Sequence, residues 1–370
     1  MAYGFVRLTE DDSRRNDRHE RADRGLPRFR GDGTVTEPHA VRARVSHFGG
    51  PEVLRFETFT PGRPRRGKVR VRVTHASVGS TDAMARAGNY LLQPRSGFVP
   101  GYDFVGVLVH VNAAAARRGL DVGMRVVGCL ARMGSNATQL DVPADRVIPL
   151  PDALDSTSAA ALPLDLVTAA LALELAAPPR GGTLFVQGVS GSVGSIVTQR
   201  ATAKGLRVVG TASERTRATA ESLGATVADY RDPNWPALVQ NLAVGGIDAS
   251  IDHTGSPLVR AVTLPGGTVV RTAWSGRPGH GRRDAALGGA AVLARTFASP
   301  RERLCSVPLL VALQPAKYRR ILQDELDRVI DGSLRGPVVS ALPFSDVVEA
   351  HRRLDSLAPG HKLVLKMASD

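Results

Sequence analysis

A glycine-rich turn between an apolar strand and a helix constrains the fold of this chain most strongly. Thr183–Val186 is predicted to be a buried strand, the turn occupies residues 188–194, and residues 195–203 are predicted to be helical. In such a unit the glycines let the backbone approach a pyrophosphate, and the N-terminus of the helix supplies N–H groups and a positive dipole end. A structural turn can have the same glycine spacing, so the surrounding sequence has to decide between the two.

The surrounding sequence alternates between strands and helices. Strands are predicted at residues 207–211, 227–230, 247–252 and 268–270, and a helix at 214–223 that ends at Gly224, a common helix-terminating residue. Strands and helices that alternate at this spacing predict a doubly wound parallel sheet of the Rossmann type. The glycine turn is therefore predicted to bind a dinucleotide through Gly188, Ser190, Gly191, Ser192, Val193 and Gly194.

Residues after the second strand favour NADPH as the dinucleotide. Folds that bind NAD usually place Asp or Glu about 20 residues beyond the glycine turn, where it holds the ribose 2′-hydroxyl. Ser213 stands at this distance, and Arg215 and Arg217 follow it. A hydroxyl and guanidinium groups suit a 2′-phosphate. Glu214 argues against this interpretation, and the arginines could simply form a solvated helix start.

The loop after the strand that ends at Asp252 is a further predicted contact. Carboxyl ends of strands border the ligand crevice in sheets of this type. Thr254 and Gly255 are therefore expected to approach the cofactor through backbone groups, whereas His253 is interpreted as a packing residue rather than a catalytic acid.

Length and composition limit the class of protein. A chain of 370 residues predicts two domains. It contains no apolar run long enough to span a membrane and no secretory pattern at its start. The two cysteines, Cys129 and Cys305, have no CxxC partner, which argues against a four-cysteine zinc site or a disulfide framework. A cytoplasmic protein is expected.

A net charge of +13 is compatible with nucleic-acid binding, but the distribution of the charge along the chain does not favour that function. Only five of the 48 basic residues are lysines, the arginines are scattered, and aromatic residues make up 5% of the chain. We therefore expect no nucleic-acid partner, although the positive charge would attract anionic ligands such as NADPH.

The residues before the glycine turn form two further regions. Residues 1–38 are polar, carry charges of both signs, and are expected to be disordered because they cannot bury enough apolar surface. From residue 41 onward, short alternating strands are predicted at 41–45, 68–73, 101–109 and 124–128, which indicates a mostly β domain.

The order of several motifs resembles the medium-chain dehydrogenase/reductase superfamily, and within it the zinc-independent quinone oxidoreductase (zeta-crystallin-like) group. The resemblance runs from about residue 40 to residue 366. Its landmarks are Phe48-Gly49-Gly50-Pro51, Ser80-Thr81-Asp82, Arg86-Ala87-Gly88-Asn89-Tyr90, Pro100-Gly101-Tyr102-Asp103, Ala159-Ala160-Ala161-Leu162-Pro163, the glycine turn, and Gly360-His361-Lys362-Leu363-Val364.

This resemblance implies a β-rich GroES-like catalytic domain made of residues 39–163 and 313–370, with a Rossmann NADPH-binding domain inserted at 164–312. It also implies a homodimer, an active site in the cleft between the domains, and NADPH-dependent reduction of a quinone or an α,β-unsaturated carbonyl compound. Tyr230 matches a family tyrosine near the adenosine 2′-phosphate, and Thr168 matches a threonine near the nicotinamide.

Zinc-dependent relatives place a catalytic Cys before the active-site helix and a Gly-His-Glu in the next strand region. Here these regions read Gly79-Ser80-Thr81-Asp82 and Gly101-Tyr102-Asp103, so no catalytic zinc is expected. The family often has Asn where this chain has Gly79, which removes a polar group from the expected site and puts the family's proton relay in doubt.

Three residues are candidates for catalysis, and each has a structural alternative. Asp82 could shape the cleft, or it could cap a helix and pair with Arg86. Tyr102 could donate a hydrogen bond to the substrate, or it could pack with its hydroxyl satisfied. Thr168 could approach the nicotinamide, or its hydroxyl could bind its own helix backbone.

Two other functions stay open. One is an enoyl-thioester or polyketide-pathway reductase on the same fold, and the other is a non-catalytic, dinucleotide-binding regulatory protein. Residues 276–303 are expected to form a lid, an oligomer contact or a disordered segment, and to border the cleft. Residues 318–330 are predicted to form an amphipathic helix.

Overall fold

The computed structural model describes residues 39–273, 289–291 and 294–368. The expectations for residues 1–38 and for most of residues 276–293 therefore fall outside the described residues. The described strands, in chain order, are β1 (Ala40–Val45), β2 (Leu54–Phe59), β3 (Lys68–Val78), β4 (Asp103–His110), β5 (Arg125–Cys129), β6 (Gln139–Pro143), β7 (Val147–Pro149), β8 (Thr183–Val186), β9 (Arg207–Ala212), β10 (Ala225–Asp229), β11 (Ala249–Asp252), β12 (Thr268–Arg271), β13 (Glu302–Leu304), β14 (Val338–Pro343) and β15 (His361–Lys366).

The α-helices for which both ends lie in the described residues are α1 (Ser80–Arg86), α2 (Ala113–Ala116), α3 (Ser156–Ala160), α4 (Pro163–Ala176), α5 (Ser192–Ala203), α6 (Glu214–Ser222), α7 (Trp235–Leu242), α8 (Pro257–Val262), α9 (Val307–Leu313), α10 (Pro315–Ile330) and α11 (Val347–Arg353). Residues 289–291 and 294–298 are helical as well. Among the described residues, no helix combines the length and the apolar character that crossing a bilayer requires.

The predicted doubly wound parallel sheet is confirmed. Six strands lie in the order β10-β9-β8-β11-β12-β13, and every neighbouring pair is parallel. Chain order reverses on either side of β8, the point at which ligands bind in sheets of this type. The edge strand β13 was not predicted, because its sequence, Glu-Arg-Leu, has no apolar alternation.

Burial on both faces explains why β8 is a continuous apolar run. All four of its residues are buried. Leu184 and Val186 belong to the core cluster beneath α4 and α5, whereas Phe185 belongs to the cluster beneath α7 and stacks on Trp235. Alternate side chains of one strand thus serve opposite faces of the sheet.

The second sheet has seven strands and is mostly antiparallel. Its order is β14-β15-β3-β4-β5-β7, and β6 also pairs with β3. The first part of β3 alternates between buried and partly exposed residues, as predicted, whereas its last four residues, His75 to Val78, are all buried. The strand β15 pairs with β3, so this sheet contains strands from both before and after the parallel sheet in the chain.

One helix connects the two sheets. Residues of α4 pack in the same core cluster as Val105 and Val127 of the second sheet and Leu184 of the parallel sheet. The cavity described next opens beside this helix. The domain boundaries given above, 39–163 with 313–370 and 164–312, stay a prediction.

Candidate active site

A cavity of about 670 Å³ lies at the carboxyl ends of four parallel strands. Residues that follow β8, β11, β12 and β13 line one side of it, including Gln187, His253, Thr272 and Cys305. The other side consists of the start of α1, two tyrosines and the start of β15. This position is the ligand crevice expected for a doubly wound sheet.

The glycine turn requires glycine at two positions, at one because of its backbone conformation and at the other because the turn lies very close to its own helix. Gly188 has a φ of +73°, in the left-handed region, and its carbonyl accepts a hydrogen bond from the Gly191 N–H at 3.1 Å. A Cβ atom at Gly194 would collide with the carbonyl oxygen of Gly188. The turn thereby places the first residues of α5 directly against the cavity.

The N-terminus of α5 presents N–H groups to this cavity. The N–H groups of Ser192, Val193 and Gly194 have no acceptor among the described residues, and all three residues line the cavity. The next N–H, that of Ser195, begins the helical pattern by donating to the Gly191 carbonyl at 2.8 Å. Donors at the positive end of a helix of 12 residues form a site for an anionic group.

Two of the three predicted serine contacts, Ser190 and Ser213, do not line the cavity. Ser190 Oγ donates to Thr216 Oγ1 at 2.9 Å, and Ser213 Oγ lies 3.0 Å from the same atom. Both serines are buried. Their hydroxyls therefore tie the glycine turn to the start of α6, and the expected contact of Ser213 with a 2′-phosphate would require this network to open.

The two candidate arginines differ in their surroundings. Arg217 lies 3.0 Å from Glu214 and 3.7 Å from Glu221, and it also donates to the Val227 carbonyl at 2.9 Å. The hydrogen bond that Arg217 donates to the Glu214 carboxylate raises the pKa of Arg217. Arg215 is exposed and makes no hydrogen bond or ion pair with the described residues. Arg215 is therefore the guanidinium that is free to meet a phosphate.

The remaining predicted nucleotide contacts are Tyr230, whose ring is exposed, and Thr254 and Gly255, whose loop is hydrogen-bonded within the protein. Tyr230 is 49% exposed, and the Arg231 guanidinium lies 5.5 Å from the centre of its ring. The N–H groups of Thr254 and Gly255 each donate to the Asp252 carboxylate at 2.8 Å. These two residues were expected to reach a cofactor through backbone groups, but their N–H groups already have an acceptor in the Asp252 carboxylate.

Thr168 and Asp82 line the cavity. Thr168 makes the backbone contact named as its structural alternative, and Asp82 makes the capping contact named in its own, whereas its pairing with Arg86 stays a prediction. Thr168 Oγ1 donates to the Leu164 carbonyl one helical turn earlier, at 2.6 Å. Asp82 accepts from the Gly79 N–H at 2.9 Å and from the Gly101 N–H at 2.7 Å. Asp82 therefore caps α1 and fixes the Gly101 turn to it. Burial raises the pKa of Asp82 to about 6, although these two N–H groups oppose the shift.

Tyr102 forms a pair with Tyr90 at the cavity wall. Their hydroxyl oxygens lie 3.1 Å apart, and their rings meet edge to face at 82° with 6.5 Å between centres. Burial raises the pKa of Tyr90 to about 12 and that of Tyr102 well above its usual value. Both phenols are therefore protonated at neutral pH, and one proton of the pair can be donated to a ligand in the cavity.

A buried charge cluster that the sequence did not reveal lies beneath this pair. Lys362 Nζ is 3.0 Å from Asp165 Oδ2 and 3.8 Å from Asp103 Oδ2. Asp103 also accepts from Ser77 Oγ at 3.1 Å and from the Leu164 N–H at 3.0 Å. Burial raises the pKa of Asp103 to about 7. Burial disfavours the charged form of Lys362, but the carboxylates of Asp165 and Asp103 outweigh it and raise its pKa.

The sequence did contain a sign of this cluster. Asp103 stands between Tyr102 and Phe104, Asp165 stands between two leucines, and Lys362 precedes Leu363. A charged residue inside an apolar run is rarely buried without a partner, so three such residues could have been matched with one another.

Two family models match the chain. One is described as an alcohol dehydrogenase GroES-like domain and matches residues 65–152, and the other is described as a zinc-binding dehydrogenase and matches residues 223–365. This chain belongs to the medium-chain dehydrogenase/reductase superfamily. Within the superfamily it falls in the quinone oxidoreductase group, and the predicted fold class, a β-rich GroES-like domain with a Rossmann domain, is confirmed.

Individual relatives support this placement to different extents. The chain is 28% identical over 335 residues to one subunit of the phenolphthiocerol/phthiocerol polyketide synthase of Mycobacterium tuberculosis, a match that covers 89% of this chain but only 15% of that protein. It is 32% identical over 215 residues to the quinone oxidoreductase of Rattus norvegicus, covering 56% of this chain and 64% of the rat protein. The first of these relatives thus extends far beyond this chain.

A solved structure has the same fold. The crystal structure of Escherichia coli quinone oxidoreductase complexed with NADPH matches with a TM-score of 0.73 over 88% of this chain and 99% of that chain. The sequence identity is 20%, so the match concerns the fold alone.

Among the residues that the structure describes, no zinc site is found. One matching family model has zinc binding in its description, but the described residues contain no group of three His, Cys, Asp or Glu side chains that could hold a metal ion. Gly79 and Tyr102 stand where zinc-dependent relatives are expected to have ligands.

Proposed function

We propose that this chain is a zinc-independent, NADPH-dependent oxidoreductase that reduces a quinone or an α,β-unsaturated carbonyl compound. The observation that carries the proposal is the row of available N–H groups at Ser192, Val193 and Gly194, placed at one side of a cavity whose opposite wall holds two protonated tyrosines. One side suits an anionic cofactor and the other suits a carbonyl oxygen.

The residues that would hold NADPH follow from this geometry. The pyrophosphate would accept from the N–H groups at the start of α5, and the exposed Arg215 would bind the 2′-phosphate. When bound, NADPH supplies the hydride for the reduction. The NADPH complex of the Escherichia coli relative supports this choice of cofactor.

The residues of this chain would position and polarise the acceptor. The Tyr90–Tyr102 pair would donate a hydrogen bond to the carbonyl oxygen, where negative charge develops during reduction. Apolar side chains close the same part of the cavity, including Met84, Leu91, Leu92, Val307 and Leu309. They would exclude water and hold the acceptor in place, which is the main source of rate enhancement in this proposal.

The test is a panel of acceptors with the purified full-length chain. Quinones of increasing size and simple enones are mixed with NADPH, and the loss of absorbance at the nicotinamide band is followed. Acceptor-dependent oxidation, with NADH less effective, is the expected result. Binding of NADPH without oxidation by any acceptor would contradict the reductase and favour the non-catalytic regulatory protein.

An enoyl-thioester reductase is the second candidate. The similarity of 89% of this chain to part of a polyketide synthase favours it, because enzymes of that kind carry their intermediates as thioesters. The apolar wall formed by Leu91, Leu92 and Leu309 suits an acyl chain. Faster reduction of enoyl thioesters than of quinones, with inhibition by salt, would identify this activity.

The assembly and cellular location remain part of the proposal. A homodimer is implied by the family resemblance and can be tested by light scattering with size-exclusion chromatography. A cytoplasmic location stays a prediction from cysteine usage.

A further inference from the structure

A buried serine connects the cavity to the carboxylate cluster. Ser77 lies in the fully buried end of β3, is 4% exposed, and lines the cavity. Its hydroxyl donates to Asp103 Oδ2 at 3.1 Å. Asp103 is 0% exposed and does not line the cavity itself. Ser77 is therefore a cavity-lining residue whose hydroxyl is hydrogen-bonded to the buried Asp103 carboxylate.

The charges around Asp103 leave it able to hold or release a proton near neutral pH. Burial raises its pKa to about 7, the Lys362 ammonium opposes this shift, and the Asp165 carboxylate adds to it. Because Lys362 lies closer to Asp165 than to Asp103, it compensates only one of the two carboxylates fully. The titratable groups that face Asp103 or its lysine from neighbouring elements are Asp82, Cys129, Asp165, Tyr318 and Lys362.

The tyrosine pair cannot easily fill the same role. The pKa of Tyr90 is about 12 and that of Tyr102 is higher still. A phenol this weak as an acid can donate a hydrogen bond, but it is a poor source of a complete proton near pH 7. The function proposed above needs such a source, because reduction of an enone or a quinone adds a proton together with each hydride.

We propose that Ser77 and Asp103 form a proton relay that supplies this proton, with Ser77 as the residue in contact with the acceptor and Asp103 as the proton store behind it. The inference rests on the proposed reductase function and assigns a proton source to it. Lys362 and Asp165 line the cavity as well, and in this proposal they are positioning residues that act through Asp103.

The relay moves one proton from Asp103 to the acceptor oxygen by way of Ser77. Hydride addition leaves an electron pair on the acceptor oxygen. When Asp103 is protonated, the observed Ser77–Asp103 hydrogen bond is reversed, so that Asp103 donates to Ser77 Oγ and the Ser77 hydroxyl turns its proton toward the acceptor. The Ser77 O–H bond then breaks as an O–H bond forms on the acceptor oxygen, while the Asp103 O–H bond breaks and its proton moves to Ser77 Oγ. Ser77 ends unchanged, and Asp103 ends as a carboxylate next to the Lys362 ammonium. After the product leaves, Asp103 regains its proton from hydronium or buffer acid in the solvent, relayed by water in the open cavity and by Ser77.

The test compares the pH dependence of kcat for the wild type, Ser77→Ala and Asp103→Asn, using the best acceptor from the panel. Because protonated Asp103 is the active form, wild-type kcat is expected to fall as the pH rises through about 7. Both variants are expected to lose this titration and to have kcat reduced by about 10- to 100-fold, with nearly unchanged affinity for NADPH. The solvent deuterium isotope effect on kcat should change in both.

Ser250→Ala is the matched control. Ser250 is another fully buried strand serine whose hydroxyl has a partner, Thr263 Oγ1 at 2.6 Å, but it does not line the cavity. It should keep the wild-type pH profile. If Asp103→Asn fails to fold, Ser77→Ala decides alone, because it removes one hydroxyl and no charge.

A Ser77→Ala variant with wild-type kcat and pH profile would overturn the relay while leaving the reductase intact. A wild-type protein that binds NADPH but reduces no acceptor would overturn both proposals, so the two failures are distinguishable.

Discussion

The two sides of the cavity differ in how the sequence encodes them. The pyrophosphate part of the nucleotide side is one uninterrupted run of residues, 188–194, whose shape is set by backbone conformation and available space. The proton side brings together Ser77, Asp103, Asp165 and Lys362, which come from three strands and a helix spread over most of the chain. The nucleotide side depends on steric fit, and the proton side depends on the balance between one lysine and two carboxylates. They should therefore fail in different ways when residues are replaced.

The largest expected effect is on the steric side. Gly194→Ala places a Cβ against the Gly188 carbonyl, so the start of α5 must move away from the turn and its N–H groups lose their alignment. We expect the Kd for NADPH to rise by about 100-fold or more, a loss of about 2.7 kcal/mol of binding free energy. Calorimetric titration measures this.

Gly62→Ala is the control for this substitution, because a Cβ there has no neighbour within 4 Å. Binding by Gly194→Ala at the wild-type level would show that the close approach of turn and helix does not set the nucleotide site.

The next effect belongs to the charge side and depends on pH. Lys362→Met leaves the buried carboxylates of Asp103 and Asp165 without their cation, which should cost about 3–5 kcal/mol of unfolding free energy at pH 8. The loss should shrink toward pH 5, because Asp103, whose pKa is already raised to about 7 by burial, then carries a proton. Urea unfolding at the two pH values measures it.

Lys366→Met, at the exposed end of the same strand, should change the unfolding free energy by less than about 0.5 kcal/mol. An equal loss for Lys362→Met at pH 8 and pH 5 would argue against charge balance as the cause.

The smallest effect separates the two candidate arginines on the nucleotide side. Arg215→Ala removes the exposed guanidinium and should weaken NADPH binding by about 10-fold without changing NADH binding. Arg217→Ala should matter less, because Arg217 is engaged by Glu214, Glu221 and the Val227 carbonyl. Fluorescence titrations with both nucleotides measure the difference. A stronger effect of Arg217→Ala would show that its ion pairs rearrange to meet the phosphate.

The same contrast explains how much could be predicted from sequence. Thr183–Val186 and the end of α5 were predicted closely because the pattern that specifies them is local. β13 was missed because its sequence has no apolar alternation, and its pairing with β12 and the Arg271–Glu302 ion pair join residues about 31 apart in the chain. The pattern of neighbouring residues cannot predict a contact between residues so far apart in the chain.

Side-chain contacts limited the prediction of the site. The spacing correctly indicated that Thr254 and Gly255 follow a strand at the crevice, but it could not show that the Asp252 carboxylate already binds both N–H groups. In the same way, the sequence placed Asp82 at the start of a helix, and only the fold brings the Gly101 N–H to its other oxygen. Contacts between distant segments become visible once the sheets are assembled.

The most direct test of the whole account is a titration of the wild-type full-length chain with NADPH and with NADH, followed by nicotinamide fluorescence. We expect saturable binding of one NADPH per chain, at least about 10-fold tighter than NADH, because the N–H groups of α5 and Arg215 each meet a phosphate. Failure to bind either nucleotide would contradict it, since the glycine turn would then be a structural turn only.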